Sequence, residues 1–277
     1  MDDANAARPL GDQLDVPIYQ VDAFAGRLFA GNPAAVCPLE KWLPDQMMQA
    51  IAAENNLSET AFFVRHGDDY ELRWFTPTIE IDLCGHATLA SGFVIMTKLS
   101  PQKTSARFHT KSGILNVTRD GPRFALDLPS NPPKPAEMPA KFLAALGKPP
   151  KQVLAAKMYM VVYDTAEEVA ALAPDLAVLK DADRDGIIAT APGATSGPNA
   201  CDFVSRYFAP HAGIPEDPVT GSAHCTLVPY WAHRLSKTKL HARQISARGG
   251  ELFCEDQGRR VSLAGSAVLY LEGRIRV

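Results

Sequence analysis

The chain carries one interrupted signature twice, about half its length apart. Arg73-Trp74-Phe75-Thr76-Pro77 returns as Arg206-Tyr207-Phe208-Ala209-Pro210. Glu80-Ile81-Asp82-Leu83-Cys84-Gly85-His86-Ala87 returns as Glu216-Asp217-Pro218-Val219-Thr220-Gly221-Ser222-Ala223. Ser112-Gly113-Ile114-Leu115 answers Gly249-Gly250-Glu251-Leu252, and Gly121 answers Gly258. The order is kept while the offset drifts only from 133 to 137 residues. Two related units in tandem are expected, with a site at their junction. Two copies are too few for a solenoid, which needs at least three stacked units to bury a core.

The 277 residues are 46% apolar and 21% charged, enough to build two ordinary cores. A net charge of −3 without a long basic run argues against nucleic acid or an anionic membrane as partner. The start, Met1 to Arg8, is polar and lacks an apolar signal region, and no apolar run approaches the roughly 18 residues of a membrane span. The five cysteines are odd in number, scattered, and form no C-x-x-C. A reduced, cytoplasmic protein is the expectation.

Residues 1–15 read as a disordered leader, 16–130 and 151–277 as the two units, and 131–150 as a stiff Pro-rich linker with a short helix near Lys141 to Leu146. The last strand has the option of returning to the first unit. Strands are expected at Val16 to Val21, Asn32 to Cys37, Thr60 to Arg65 and Glu71 to Phe75, with a helix from Pro44 to Asn55. Residues 85–98 predict a helix that is apolar nearly all round and therefore buried on most sides. A sheet curled around it is the simplest cover. The second half repeats the plan: a strand over Val153 to Tyr163, helices over Thr165 to Leu179, and strands at Gly186 to Thr190 and Asp202 to Phe208. A second central helix then runs from about Gly221 to Arg234, bent or made irregular by Pro229.

No G-x-G-x-x-G follows a strand, and there is no Walker loop, H-E-x-x-H, zinc spacing or nucleophile elbow. Neither a metal nor a cofactor is therefore expected. Instead, each copy of the signature sets a glycine, Gly85 or Gly221, at the mouth of a buried helix. Free N–H groups and the positive dipole end there bind a carboxylate or stabilise an enolate-like oxyanion. Small residues also simply allow tight helix–strand packing; the paired occurrence favours the anion site. His86 is either a proton-transfer group or a helix cap. Asp217 either orients His86 or caps a turn. Cys84 reads as a small buried side chain. Upstream, Glu59 enters an apolar strand beside Phe62 and Phe63, a sheltered setting that suits a general acid/base, although an ordinary loop carboxylate has the same sequence.

Taken together, these segments resemble the phenazine biosynthesis PhzF family. The matching stretches include Asp22-Ala23-Phe24, Gly31-Asn32-Pro33-Ala34-Ala35-Val36, Leu57-Ser58-Glu59-Thr60-Ala61-Phe62, both copies of the repeat, and Arg248-Gly249-Gly250-Glu251-Leu252. They occur in family order. The resemblance implies an α+β, diaminopimelate-epimerase-like fold: two similar domains, each a barrel-like sheet around a central helix, with the site between them. It implies cofactor-independent isomerisation of a small carboxylate-bearing substrate, in a homodimer. Glu59 matches the proposed general acid/base, with His86 and Asp217 as its catalytic partners. Ser222, Gly85, Gly221, Thr220, Asn32 and Gly250 fall among the substrate-binding positions. Related racemases use two opposed cysteines, whereas this chain has Cys84 at the first mouth and Thr220 at the second. A hydroxyl is not a thiolate-like base, so a two-thiol racemase is disfavoured. Two alternatives stand beside the isomerase: a cofactor-independent racemase or epimerase, and a non-catalytic binding or regulatory protein on the same fold.

Overall fold

The computed structural model describes residues 14–277. Most of the expected leader lies outside them, but Leu14 and Asp15 already belong to the fold. Leu14 exchanges backbone hydrogen bonds with Val277, and Asp15 opens the first strand.

The first half contains β1 (Asp15–Ala23), β2 (Asn32–Leu39), α1 (Asp45–Asn55), β3 (Glu59–His66), β4 (Asp69–Phe75) and β5 (Glu80–Ile81). It continues through α2 (Gly85–Val94), β6 (Ser105–Thr110), β7 (Gly113–Asp120) and β8 (Arg123–Pro129). Between the halves lie β9 (Lys134–Pro135) and α3 (Ala140–Ala145). The second half contains β10 (Gln152–Ala155), β11 (Tyr159–Val162), α4 (Ala166–Ala170), α5 (Leu176–Leu179), β12 (Ile187–Pro192) and β13 (Phe203–Phe208). It ends with α6 (Gly221–Leu235), β14 (Lys239–Gln244), β15 (Gly250–Asp256), β16 (Arg260–Gly265) and β17 (Ala267–Arg276). The expected strand over Val153 to Tyr163 is thus a hairpin of two.

Each half repeats one pairing scheme. β1–β2 and β3–β4 are antiparallel, β2–β3 and β4–β6 parallel, and β6, β7 and β8 form a meander. The same sequence of pairings runs through β10, β11, β12, β13, β14, β15 and β16. The arcs meet where β8 pairs antiparallel with β16. The strand following each arc crosses to the other half: β9 pairs with β10, and β17 pairs with β1. The result is one continuous α+β sheet that wraps α2 and α6 in turn.

Burial of the two central helices follows from their composition. Nine of ten α2 residues are buried, and its Thr88 and Ser91 hydroxyls donate back to the carbonyls of Cys84 and Ala87, which satisfies both inside the core. The α-turns stop at Val94, and Ile95–Leu99 continues as a wider π-turn. In α6, Trp231 stacks on Phe203 and donates to the Thr190 hydroxyl. Pro229 lies inside this helix. Its missing N–H leaves the Cys225 carbonyl without a helical donor, and the Asn131 N–H takes that place at 2.9 Å.

That bond also revises the reading of 131–150. The segment is packed: Met138, Phe142 and Leu146, spaced at helical intervals, are buried in a second apolar cluster with Tyr163 and Phe208. Its prolines stiffen a strand and helix that belong to the fold.

Packing against α2 is close enough to be tested. A Cβ at Gly92 would sit 2.6 Å from Val117 Cγ1 and 2.8 Å from Val117 Cβ. Gly92→Ala gains about 1 kcal/mol of helix propensity, yet overpacking makes it less stable than the parent by about 1–3 kcal/mol. Denaturant melts should also show the Gly92→Ala/Val117→Ala double variant less destabilised than the sum of the singles.

Candidate active site

The repeated signature folds into two mirrored devices at one cleft. In the first half, Arg73 grips Glu80 through two parallel hydrogen bonds of 2.8 and 2.9 Å; in the second, Arg206 grips Glu216 at 2.7 and 2.8 Å. Each fork clamps the base of a loop that leads to a central helix. The Arg73 fork holds Glu80 down at about 2. The loops bring Ile79 and Ile214 to the cleft from opposite sides.

Beyond the loops, α2 and α6 arrive head to head. A Cβ on Gly85 would lie 3.3 Å from the Gly221 Cα, and one on Gly221 would lie 3.3 Å from the Gly85 Cα. Neither helix has a side-chain cap. Helical bonding starts only at Thr88 and His224, so the N–H groups of residues 85–87 and 221–223 precede the ladder. The glycines serve the expected close approach, here between backbone and backbone as well as toward the cleft.

Glu59 and His86 lie at the cleft floor, both buried, with Oε2 and Nε2 3.0 Å apart. The contact is not aligned as a hydrogen bond, and both atoms otherwise lack a protein partner. Burial pushes the His86 imidazole down, but Cys84 and Glu59 more than offset this and hold it well above its ordinary value. Burial, assisted by Glu59, pushes the Cys84 thiol up to about 11. Cys84 is therefore uncharged near neutrality, and the group left facing the imidazole is the Glu59 carboxyl.

A buried polar chain links these groups to the second half. Asn32 Nδ2 lies 2.9 Å from Asp217 Oδ1, 2.9 Å from the Val219 carbonyl and 3.1 Å from His86 Nδ1. The amide has two hydrogens, and ionised Asp217 and the carbonyl can only accept. His86 Nδ1–H then finds its acceptor in Cys84 Sγ, 3.5 Å away. Glu59, Cys84 and His86 cluster tightly enough to suggest a metal site. Cys84 and Glu59, however, meet opposite ring nitrogens, which does not converge on one ion.

On the other side, the Thr220 hydroxyl donates to Asp217 Oδ2, and Gln244 braces the loop. Gln244 Nε2 donates to the Asp217 carbonyl at 2.7 Å, and its Oε1 accepts from the Thr220 N–H at 2.9 Å. Burial raises the Asp217 carboxyl to about 6, against the pull of His86 and its hydrogen bonds.

Glu59, His86, Gly85, Asp217, Thr220, Gly221 and Ser222 all line a single cavity of about 160 Å³. Two expected substrate-binding residues do not. Asn32 is buried behind the imidazole, where it bridges the halves. Gly250 lies where a Cβ would be 2.4 Å from Val219 Cγ2 and 2.9 Å from the Phe24 carbonyl, so it serves packing of the interhalf seam. Sequence reasoning missed Tyr207, Asp185 and Gln244. Tyr207 sits inside the repeat and could have been flagged; Asp185 and Gln244 lie in segments without any repeat or motif.

His224, one turn into α6, marks the folded state's response to acid. Its Nδ1 lies 2.8 Å from the Thr220 carbonyl, its Nε2 is buried without a partner, and burial pushes it down to about 4. A depressed folded value contributes stability above the ordinary imidazole range that is lost as pH falls through about 4. Asp217, raised instead, slopes the opposite way, so the useful measure is a difference. Between pH 7 and pH 4 the stability of the parent relative to His224→Phe should drop by about 3 kcal/mol, read from urea melts.

With this geometry in place, comparison with known proteins is informative. The sequence profile of the family described as phenazine biosynthesis-like protein (PhzC-PhzF) matches residues 21–273. The chain is 51% identical over 264 residues to an uncharacterized isomerase of Pseudomonas aeruginosa, covering 95% of this chain and 100% of that one. It is 40% identical over 287 residues to the human phenazine biosynthesis-like domain-containing protein, with 95% and 99% coverage. The crystal structure of a PhzF-family protein from Enterococcus faecalis superposes with a TM-score of 0.91 at 46% identity, over 95% of this chain and 100% of that one. The chain belongs to the PhzF family of phenazine biosynthesis-like proteins.

Proposed function

We propose that the protein is an isomerase that moves a proton between two carbons of a small carboxylate-bearing substrate, with Glu59 as the general acid/base. The observation that carries this reading is the buried Glu59–His86 pair set beside two uncapped helix mouths. The substrate carboxylate sits against the N–H groups at Gly85 and Gly221 and the free Ser222 hydroxyl. Ionised Glu59 takes a proton from the activated carbon. The electron pair left behind delocalises toward the carboxylate, where the helix mouths and the His86 imidazolium stabilise it. Protonated Glu59 then returns the proton to a second carbon, and the enzyme ends in its starting state. Asp217, Asn32 and Gln244 hold the second mouth and the imidazole in register.

The isomerase class agrees with the names carried by close relatives, including the P. aeruginosa isomerase. A two-base racemase fits less well. The position facing Cys84 across the pseudo-twofold is Thr220, whose proton is committed to Asp217.

Solvent exchange tests the proposal without a known substrate. In D2O, the protein incubated with a metabolite extract should label a carboxylate-bearing component, detected by mass spectrometry. Glu59→Gln should lower the labelling rate by about 10²–10⁴-fold, while Thr220→Ala, which keeps the base, should stay within about tenfold of the parent. A Glu59→Gln variant with full exchange would overturn the assignment.

A further inference from the structure

The charges lining the cleft are unbalanced in a directional way. Its walls hold three carboxylates, Glu59, Asp185 and Asp217, and no lysine or arginine. Two of the carboxylates are buried and spoken for: Glu59 meets His86, and Asp217 accepts from Asn32 and Thr220. Asp185 is exposed and, among the described residues, has no ion-pair or side-chain hydrogen-bond partner. Its immediate neighbours are both engaged. Asp183 accepts from the Tyr159 hydroxyl, and Arg184 donates to the Ala156 carbonyl while lying over the Tyr159 ring.

The backbone at Asp185 is nevertheless fixed. Its carbonyl accepts from the Tyr207 hydroxyl, itself a cleft residue. The next residue, Gly186, has φ +140°, and a Cβ there would lie 2.6 Å from the Tyr207 oxygen. A side chain at 186 would break the contact that seats Asp185 on the cleft wall. A rigid mount therefore carries an unpaired carboxylate.

The floor offers hydrogen-bond donors as well. The two helix mouths open there at Gly85, His86, Gly221 and Ser222, next to Glu59 Oε2 and His86 Nε2, which have only each other within reach. The rest of the lining is largely apolar, with Ile81, Leu83, Ala209, Ile214 and the exposed Ile79. A ligand matched to these surfaces has an anionic end at the buried helix mouths, a compact apolar body and a cationic end toward exposed Asp185. We propose that Asp185 is a specificity-determining residue that selects substrates bearing a cationic amine at the end remote from their carboxylate. This rests on the helix mouths binding the carboxylate, as proposed above. Dicarboxylates and phosphorylated acids are excluded by the same charge.

Three ring acids that differ only at the far position make the test: trans-4-aminocyclohexanecarboxylate, cyclohexanecarboxylate and trans-cyclohexane-1,4-dicarboxylate. Calorimetric titration of the parent should rank them in that order. The amino acid should bind about tenfold tighter than the neutral acid, the scale of a charge-assisted hydrogen bond at a partly exposed rim. Asp185→Asn should erase that difference and leave binding of the neutral acid within twofold. Asp185→Lys should move the preference to the dicarboxylate, and the position's exposure leaves the fold of both variants intact, as circular dichroism would verify. Equal binding of the amino and neutral acids by the parent, or a preference that survives in Asp185→Asn, overturns the role of Asp185 while the carboxylate site stands. If none of the three acids binds, the carboxylate site falls and this inference with it.

Discussion

Two helix N-termini meet head to head at Gly85 and Gly221, and the rest of the molecule is arranged around that contact. Each end carries roughly half a positive charge and several unbonded N–H groups. Bringing two such ends together inside a protein is electrostatically unfavourable, and no side chain caps either one. The nearby carboxyl groups of Glu59 and Asp217 offset this repulsion from within the fold. The N–H groups left unbonded at the two mouths remain open to an acceptor from outside. The continuous ladder through β8 and β16 supplies the rigidity that holds the two ends in place.

The duplicated scaffold is used asymmetrically. The Arg–Glu forks, the cleft loops and the helix mouths are shared by both halves. The proton-handling groups are not: Glu59, Cys84 and His86 come from the first half, while Asp217 and Thr220 come from the second. Asn32 spans the gap, donating from the first half to the Asp217 carboxylate and the Val219 carbonyl of the second beside the imidazole. A cleft built this way distinguishes one face of a bound molecule from the other.

Much of this was legible in the sequence, for definite reasons. The repeat announced two wraps; the all-round apolar character of residues 85–98 announced the first helix, and the repeated plan placed the second from about Gly221 to Arg234. Glycine at each helix mouth pointed to the cleft, and family resemblance brought in Glu59, His86, Asp217 and Ser222. The roles of Asn32 and Gly250 were misplaced because a motif shows which residues recur near a site, not which side of it they occupy. Asp185 and Gln244 could not be seen at all. Asp185 is seated beside the cleft by the Tyr207 hydroxyl, Gln244 braces the Asp217–Thr220 loop from behind, and neither residue type carries a periodic signal. In residues 131–150 the short helix was legible and stands as α3, but the prolines concealed that Met138, Phe142 and Leu146 pack into the fold.

The crossing of β9 and β17 has a consequence for how the chain is made. The first arc lacks its edge partner until β17, the last of the seventeen strands, pairs with β1. During vectorial synthesis the earlier-made half therefore waits for the later one, although N-terminal regions ordinarily have the first opportunity to fold. The second arc has the reverse situation, because β9 precedes it and is already present when β10 emerges. Completion of the fold thus runs against the direction of translation. The same exchange means that dividing the gene at its midpoint does not recover two copies of a simpler ancestor. It yields two halves that each lack a closing strand and each end in a strand with nothing to close.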